Sequence, residues 1–244
     1  MRPAPVNAGF GRAATSQVAR LHHAPTMRLL ARMLSLSELI RDQAPVLILD
    51  AASLRSQVGI ITADGTARWE TQTGEAGVAI FRCVERLGVE LDTVRAFVFC
   101  EGPGSTLGIR TVAMALRAWQ TLSPCPAFAY GSLDLVAHAL NKPETAIIAD
   151  ARRDTWHYQR LGEPLRRVPT LELTAPLLTP ADFRNWTALP VDVASTPYEV
   201  STLLARAHDA RILRAVESPE AFLHEEPSYA TWSPHIHRAP NPAA

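Results

Sequence analysis

The sequence predicts an α/β layer sandwich with a mixed sheet, laid out twice along the chain, and three observations carry that expectation. Short apolar runs of buried-strand length, such as Val46-Leu47-Ile48-Leu49 and Ala96-Phe97-Val98-Phe99-Cys100, mark interior strands. Three strand signals come in succession, and strands then alternate with segments of helical spacing. Finally, Ala146-Ile147-Ile148-Ala149-Asp150 repeats the pattern of Val46 to Asp50: an apolar run closed by an acid, then alanine, a short polar stretch and another strand. The repeat is roughly a hundred residues long, beyond any solenoid period, so it predicts domain duplication.

Each element has its own signal. Gln57 to Thr62 reads as a second strand, and Asp64-Gly65 as the hairpin turn into a third, Thr66 to Thr71. Gly74 to Gly88 has Val78, Phe81, Val84 and Leu87 at helical spacing, with Gly88 as the C-terminal stop. After the strand at Ala96 to Cys100 come a Gly-rich turn, a helix over Ile109 to Leu122, a short strand at Ala127 to Ala129 and a helix over Leu133 to Leu140. In the second unit Thr155 to Leu161 reads as a strand closed by Gly162, Leu189 to Val193 as another, and Val200 to Val216 as a helix.

The expected division is an N-terminal extension over 1–44, a first domain over 45–143, a reduced second domain over 144–237 and a tail over 238–244. The leader has Arg2, Arg12, Arg20, Arg28 and Arg32 but no acid before Glu38. That describes either a targeting leader or an over-long start, with the true first residue at Met27 or Met33. Leu29, Leu30, Met33, Leu34 and Leu36 allow a short amphipathic helix, but the core is expected to begin at Pro45.

Composition bounds the function. With 24 Lys+Arg against 24 Asp+Glu, no global field attracts nucleic acid or an anionic membrane, so a polyanion must meet a local patch. Cys83, Cys100 and Cys125 form an odd, widely spaced set without C-x-x-C, which fits a reducing, cytoplasmic setting better than a disulfide framework. No run approaches the ~20 apolar residues of a membrane span. No metal site is expected, since His22-His23 lies in the leader, His138 stands alone on its helix and His235-x-His237 is near the tail. There is no G-x-S-x-G elbow either, and no catalytic residue is assigned.

The densest motif is Glu101-Gly102-Pro103-Gly104-Ser105-Thr106-Leu107-Gly108-Ile109-Arg110, between a buried strand and a helix. Its glycines would let backbone N–H groups approach an anion at a helix N-terminus. Equally, they would permit a tight turn with Ser105 or Thr106 as the cap, and the residues alone favour that reading. Asp50 and Asp150 each close a strand, as acids holding a phosphate-bound metal across a cleft would. Arg152 and Arg153 stand where a close approach would want glycine, and no glycine follows Gly162, so no ATP cleft and no cofactor bound by this chain are expected.

Taken in order, Leu47 to Ser53, Gly102-Pro103-Gly104-Ser105 with Gly108-Ile109-Arg110, Ser132-Leu133, and Asp150-Ala151-Arg152-Arg153 resemble the TsaB (YeaZ) family over roughly Pro45 to Tyr229. The resemblance implies the actin-like, Hsp70-like (RNase H-like) duplicated fold. It implies a non-catalytic part in making N6-threonylcarbamoyladenosine at position 37 of tRNA, beside a catalytic paralogue, TsaD, and an ATPase, TsaE, which use the ATP. The chain departs from the family pattern at Asp50-Ala51-Ala52-Ser53, at Thr106-Leu107, at Gly74-Glu75-Ala76 and at Pro227-Ser228-Tyr229-Ala230-Thr231. The alternative is a nucleotide-dependent kinase or phosphatase of the actin-like superfamily with its own ATP site.

The helices suggest a partner surface. Ile109, Val112, Leu116 and Trp119 line one face of the second helix, while Ala115, Ala118 and Leu122 form another stripe that, with Val78 and Phe81, is expected to receive a foreign helix. The expected partners are the TsaD-like paralogue, a TsaE-like ATPase, tRNA through the complex and, for the isolated chain, a second copy.

Overall fold

The computed structural model describes residues 33–222 except 175 and 191. The leader up to residue 32, the tail, and the Pro227 to Thr231 and His235-x-His237 segments lie outside the described residues.

The core begins before Pro45. Met33–Leu34 (β1) pairs antiparallel with a late strand, and Leu36–Gln43 (α1) buries Leu36 and Leu39. A capping box fixes the start of α1: Ser35 Oγ accepts from the Glu38 N–H at 3.2 Å, and Glu38 Oε2 accepts from the Ser35 N–H at 3.0 Å. Over 33–44 the expectation of an extension is corrected here, and the Ser-x-x-Glu signature ahead of the apolar pair is the reason.

Val46–Asp50 (β2), Arg55–Ile61 (β3) and Ala67–Thr73 (β4) form the antiparallel meander, turned at Asp64-Gly65 with Gly65 at φ 82°. Ala76–Arg86 (α2) follows and stops at Gly88, then Ala96–Gly102 (β5), Thr106–Leu122 (α3), Ala127–Gly131 (β6) and Ser132–Leu140 (α4). α3 starts three residues before the expected Ile109, because Ser105 caps it by accepting from the Gly108 N–H at 3.3 Å.

The second unit holds Ala146–Asp150 (β7), Thr155–Arg160 (β8), Arg166–Pro169 (β9), Leu177–Pro180 (β10), Ala194–Thr196 (β11), Val200–Arg206 (α5) and Leu213–Val216 (β12). Two expectations fail here. The strand expected at Leu189 to Val193 lies at Ala194–Thr196, and the helix expected over Val200 to Val216 ends at Arg206. Buried Val200, Leu203 and Leu204 keep a helical period, but Leu213, Arg214 and Ala215 alternate buried, exposed, buried, which is a strand's period. β12 pairs antiparallel with β6, so the last strand returns to the first sheet and a single cut at residue 144 does not divide the two layers.

The sheet orders are β1-β12-β6-β5-β2-β3-β4 and β11-β10-β7-β8-β9. Within them β6-β5-β2-β3-β4 and β11-β10-β7-β8-β9 run in the same order with the same pairing senses: antiparallel through the meander, parallel across the next two strands. The duplication read from the two apolar runs is therefore present in the topology. The second copy is reduced, a short 3-10 turn at Thr170–Glu172 standing where the first copy has α2.

Alternation along the central strands divides the core. Leu47, Leu49, Phe97 and Phe99 pack with Ile80, Cys83, Val112, Leu116 and Trp119 under α2 and α3. Ile48, Val98 and Phe128 face the other way, toward Leu133, Val136 and Leu203 of α4 and α5 and Ile147 of the second sheet. Period-2 burial on both faces is what a central strand with helices on both sides requires.

Candidate functional site: an arginine-lined cleft

The strand-closing acids have different fates. Asp50 is fully buried, and its carboxylate accepts from Tyr130 Oη at 2.6 Å, Tyr198 Oη at 2.7 Å and the Ala52 N–H at 2.8 Å. Burial pushes it above the ordinary carboxylate range, against the lowering effect of the bonds from Tyr130, Ala52 and Tyr198. Tyr198 arrives from after β11, so Asp50 ties the second unit into the first. Gln57 beside it does the same, donating to the Tyr198 carbonyl at 3.0 Å and accepting from the Val200 N–H at 2.9 Å.

Asp150 stands at the edge of the cleft. Burial alone would raise its pKa, but backbone donors outweigh it and hold the group low: Oδ2 accepts from the Thr187 and Trp186 N–H groups and Oδ1 from that of Arg152, each at 2.5 Å. Three of its roughly four lone-pair sites are thereby used.

The Gly-rich turn is packed rather than open. A Cβ at Gly104 would overlap the Ala52 carbonyl and one at Gly108 the Ala51 carbonyl, while the Ser105 N–H donates to the Ala52 carbonyl at 2.7 Å. The β2–β3 connection thus lies against the start of α3, in the place an anion would take, and the structural reading of these glycines holds. Gly102 adopts φ 117° at the end of β5, and the Pro103 carbonyl accepts from Ser132 Oγ at 2.5 Å, which accounts for Ser132 at the start of α4.

Beside this turn opens a cleft of about 730 Å³ at the carboxyl ends of β2, β5 and β7. Arg110 of α3 lines it from the first unit, and Arg152, Arg153, Arg167 and Arg184 line it from the second. Asp150 is the one acid among its described lining residues. Arg152, Arg153 and Asp154 take φ of 65°, 52° and 55°, three consecutive left-handed residues without a glycine. The guanidiniums of Arg152 and Arg184 lie 5.2 and 5.4 Å from the ring centroid of Trp186. Arg110, Arg152 and Arg153 were singled out in the sequence and the structure gathers them here. Arg167, Arg184 and Trp186 were not, because acids are interspersed among the arginines along the chain; Glu163, for one, is paired with Arg160 and Arg166.

On the other side of the first sheet, α2 and α3 lie side by side, with Phe81 edge-on to Trp119 at 5.9 Å between centroids. Val78, Phe81 and Leu122 are exposed as expected, and Ala118 with them. Ala115 is not: it is buried with Val112 and Leu116, and Met114, 63% exposed, lies on the open face instead. Of the expected stripe, Ala115 alone is turned inward.

His138 is 3.6 Å from Asp134 on its own helix. Among the described residues no group of three or more His, Cys, Asp or Glu could hold a metal ion, and no helix is long and apolar enough to cross a membrane.

No family model matches the chain, and no curated protein matches it. Solved structures do. YeaZ from Pseudomonas aeruginosa aligns with TM-score 0.51 at 20% identity, over 66% of this chain and 89% of that one. A protein described as uncharacterized, with similarity to peptidase YEAZ from Pseudomonas aeruginosa, aligns with TM-score 0.51 at 21% identity over the same shares. The chain therefore has the duplicated, actin-like and RNase H-like fold of YeaZ, as the ordered motifs of its sequence implied.

Proposed function

We propose that this chain is a TsaB-family protein, the non-catalytic subunit of a cytoplasmic complex that makes N6-threonylcarbamoyladenosine in tRNA. It pairs with a TsaD-like catalytic paralogue, and a TsaE-like ATPase joins them and uses the ATP. The likeness to YeaZ supports the family, and one observation carries the role: the open apolar face of α2 and α3. Val78 and Phe81 stand 44% and 47% exposed on α2, and Met114 and Leu122 63% and 83% exposed on α3. Four large apolar side chains on two adjacent helices form the kind of patch that a partner helix covers.

The test is co-purification with the host's TsaD-like protein, comparing wild type with Leu122→Arg and Met114→Glu. Both variants should melt as wild type does and lose the partner. Retained pull-down by both would place the partner elsewhere and remove the basis for the role. A kinase or phosphatase with its own Mg-ATP site needs acids free to hold the metal, whereas Asp50 is spent on Tyr130, Tyr198 and Ala52 inside the core. Magnesium-dependent binding or hydrolysis of ATP by the isolated chain, abolished by EDTA, would favour the kinase or phosphatase reading, and its absence the non-catalytic one.

A further inference from the structure

We infer that the arginine-lined cleft is a binding site for a small polyphosphate-bearing anion, a pyrophosphate or triphosphate group, held without a divalent metal. Five arginines and one carboxylate are among the described lining residues. Arg110, Arg152, Arg153 and Arg184 have no carboxylate within ion-pair distance among the described residues. Like charges gathered in a concave wall repel one another and raise the local concentration of anions. Guanidinium is the side chain whose fork matches phosphate oxygens two at a time.

The size and shape of the site narrow the ligand. About 730 Å³ falls within the range of small-molecule sites, and charge reaches it from both units, Arg110 from the first and the other four from the second. A single phosphate fills little of that volume, whereas a chain of two or three offers enough charged oxygens to engage arginines of both units at once. The strained turn points the same way: three successive left-handed residues at Arg152 to Asp154 are a conformation that glycine would hold more easily, yet two of the three positions bear the cleft's cations.

The acids argue against a metal. Asp50, the strand-closing acid of the first unit as Asp150 is of the second, is enclosed in the core, and both oxygens of Asp150 already accept backbone N–H bonds. Neutralisation of the phosphate charge therefore falls to the arginines. This site is independent of the helix face assigned to the partner, so the two readings fail separately.

The experiment is thermal melting and calorimetric titration of the full chain with sodium tripolyphosphate and pyrophosphate in EDTA, with orthophosphate as the single-phosphate probe. The expected result is a rise in Tm with tripolyphosphate in EDTA, smaller with pyrophosphate and smallest with orthophosphate. Arg110→Gln and Arg153→Gln should each weaken tripolyphosphate binding by about tenfold or more, and Arg206→Gln, on α5 outside the cleft lining, should leave it unchanged. Absence of any shift, a strict requirement for magnesium, or equal weakening by Arg206→Gln would each overturn the proposal. So would binding of a short oligouridylate that tripolyphosphate fails to displace, since the surface would then be one for an RNA strand.

Discussion

Replacing Asp50 with alanine tests whether the acid at the end of β2 belongs to the interior or to the cleft. The substitution removes the acceptor from Tyr130 Oη, Tyr198 Oη and the Ala52 N–H, which lie 2.6, 2.7 and 2.8 Å from the carboxylate. Both tyrosines are closed to solvent, at 1% and 0% exposure, so water cannot readily replace the lost partner. A buried donor left without an acceptor costs about 1–3 kcal/mol, and three such losses set an upper bound of about 9 kcal/mol. Removal of a desolvated polar carboxyl group offsets part of that, leaving about 3–5 kcal/mol. Against a total stability of about 5–15 kcal/mol that is a large fraction. Urea unfolding followed by circular dichroism reads the loss as a drop in midpoint at constant slope. The companion Asp150→Ala removes an acceptor at the cleft edge, where solvent reaches the freed N–H groups, and should cost no more than about 1 kcal/mol. In a Tyr130→Phe/Tyr198→Phe background, Asp50→Ala should cost markedly less than in wild type, because two of the orphaned donors are gone. An Asp50→Ala midpoint within about 1 kcal/mol of wild type, or a larger loss from Asp150→Ala, would refute the assignment of Asp50 to the core.

Three further outcomes are expected. Ala115→Arg should unfold the chain or lower its stability by about 3 kcal/mol or more, since it buries an unpaired charge beside Val112 and Leu116, whereas Ala118→Arg should melt as wild type does and fail to retain the partner in a pull-down. Arg153→Gly should raise stability by about 1 kcal/mol by relieving a left-handed residue at φ 52°, while weakening tripolyphosphate binding, so denaturation and titration should move in opposite directions. Burial pushes the Cys83 and Cys125 thiols up to about 11, so at pH 7.5 their native alkylation by iodoacetamide should run on the order of a hundredfold slower than in the urea-unfolded chain.

Much of the first unit was legible because each signal was local. The apolar runs at Val46 and Ala96, the Asp64-Gly65 turn and the helical spacing of Ile109, Val112 and Leu116 are read within a single element. The second unit is harder, since Ala194–Thr196 and Leu177–Pro180 are short and polar enough to resemble loop, and pairing supplies what propensity does not. The same holds for α1, where Leu36 and Leu39 make one turn of apolar period, too little to announce a helix unless the Ser35 and Glu38 caps are read with it. The cleft was half legible. Arg110, Arg152 and Arg153 stood inside motifs, but Arg167 and Arg184 join them through the pairing of β9 with β8 and the path of the chain after β10, which sequence spacing does not reveal.

The protonation of Asp50 bears on how the two units are held together. Burial, offset in part by the bonds from Tyr130, Ala52 and Tyr198, raises its pKa above the unfolded value of 3.8. Between those two values the native state keeps a proton that the unfolded chain has released. Its contribution to stability is therefore complete below the unfolded pKa and is lost as the pH rises through the folded one. Asp50→Asn removes this titration but presents an amide N–H₂ toward either the Ala52 N–H or the two tyrosine hydroxyls, so the variant should be less stable at every pH and flatter in its dependence above pH 4. Stability measured by urea unfolding from pH 4 upward, with both proteins in the same buffers, gives the comparison. A wild-type curve that rises with pH by more than the variant's would mean that Asp50 enters the fold as a charged carboxylate. The Tyr198 bond that joins the units would then be the charge-assisted kind, and the core around Asp50 would have to be far better solvated than a residue with no exposed surface allows.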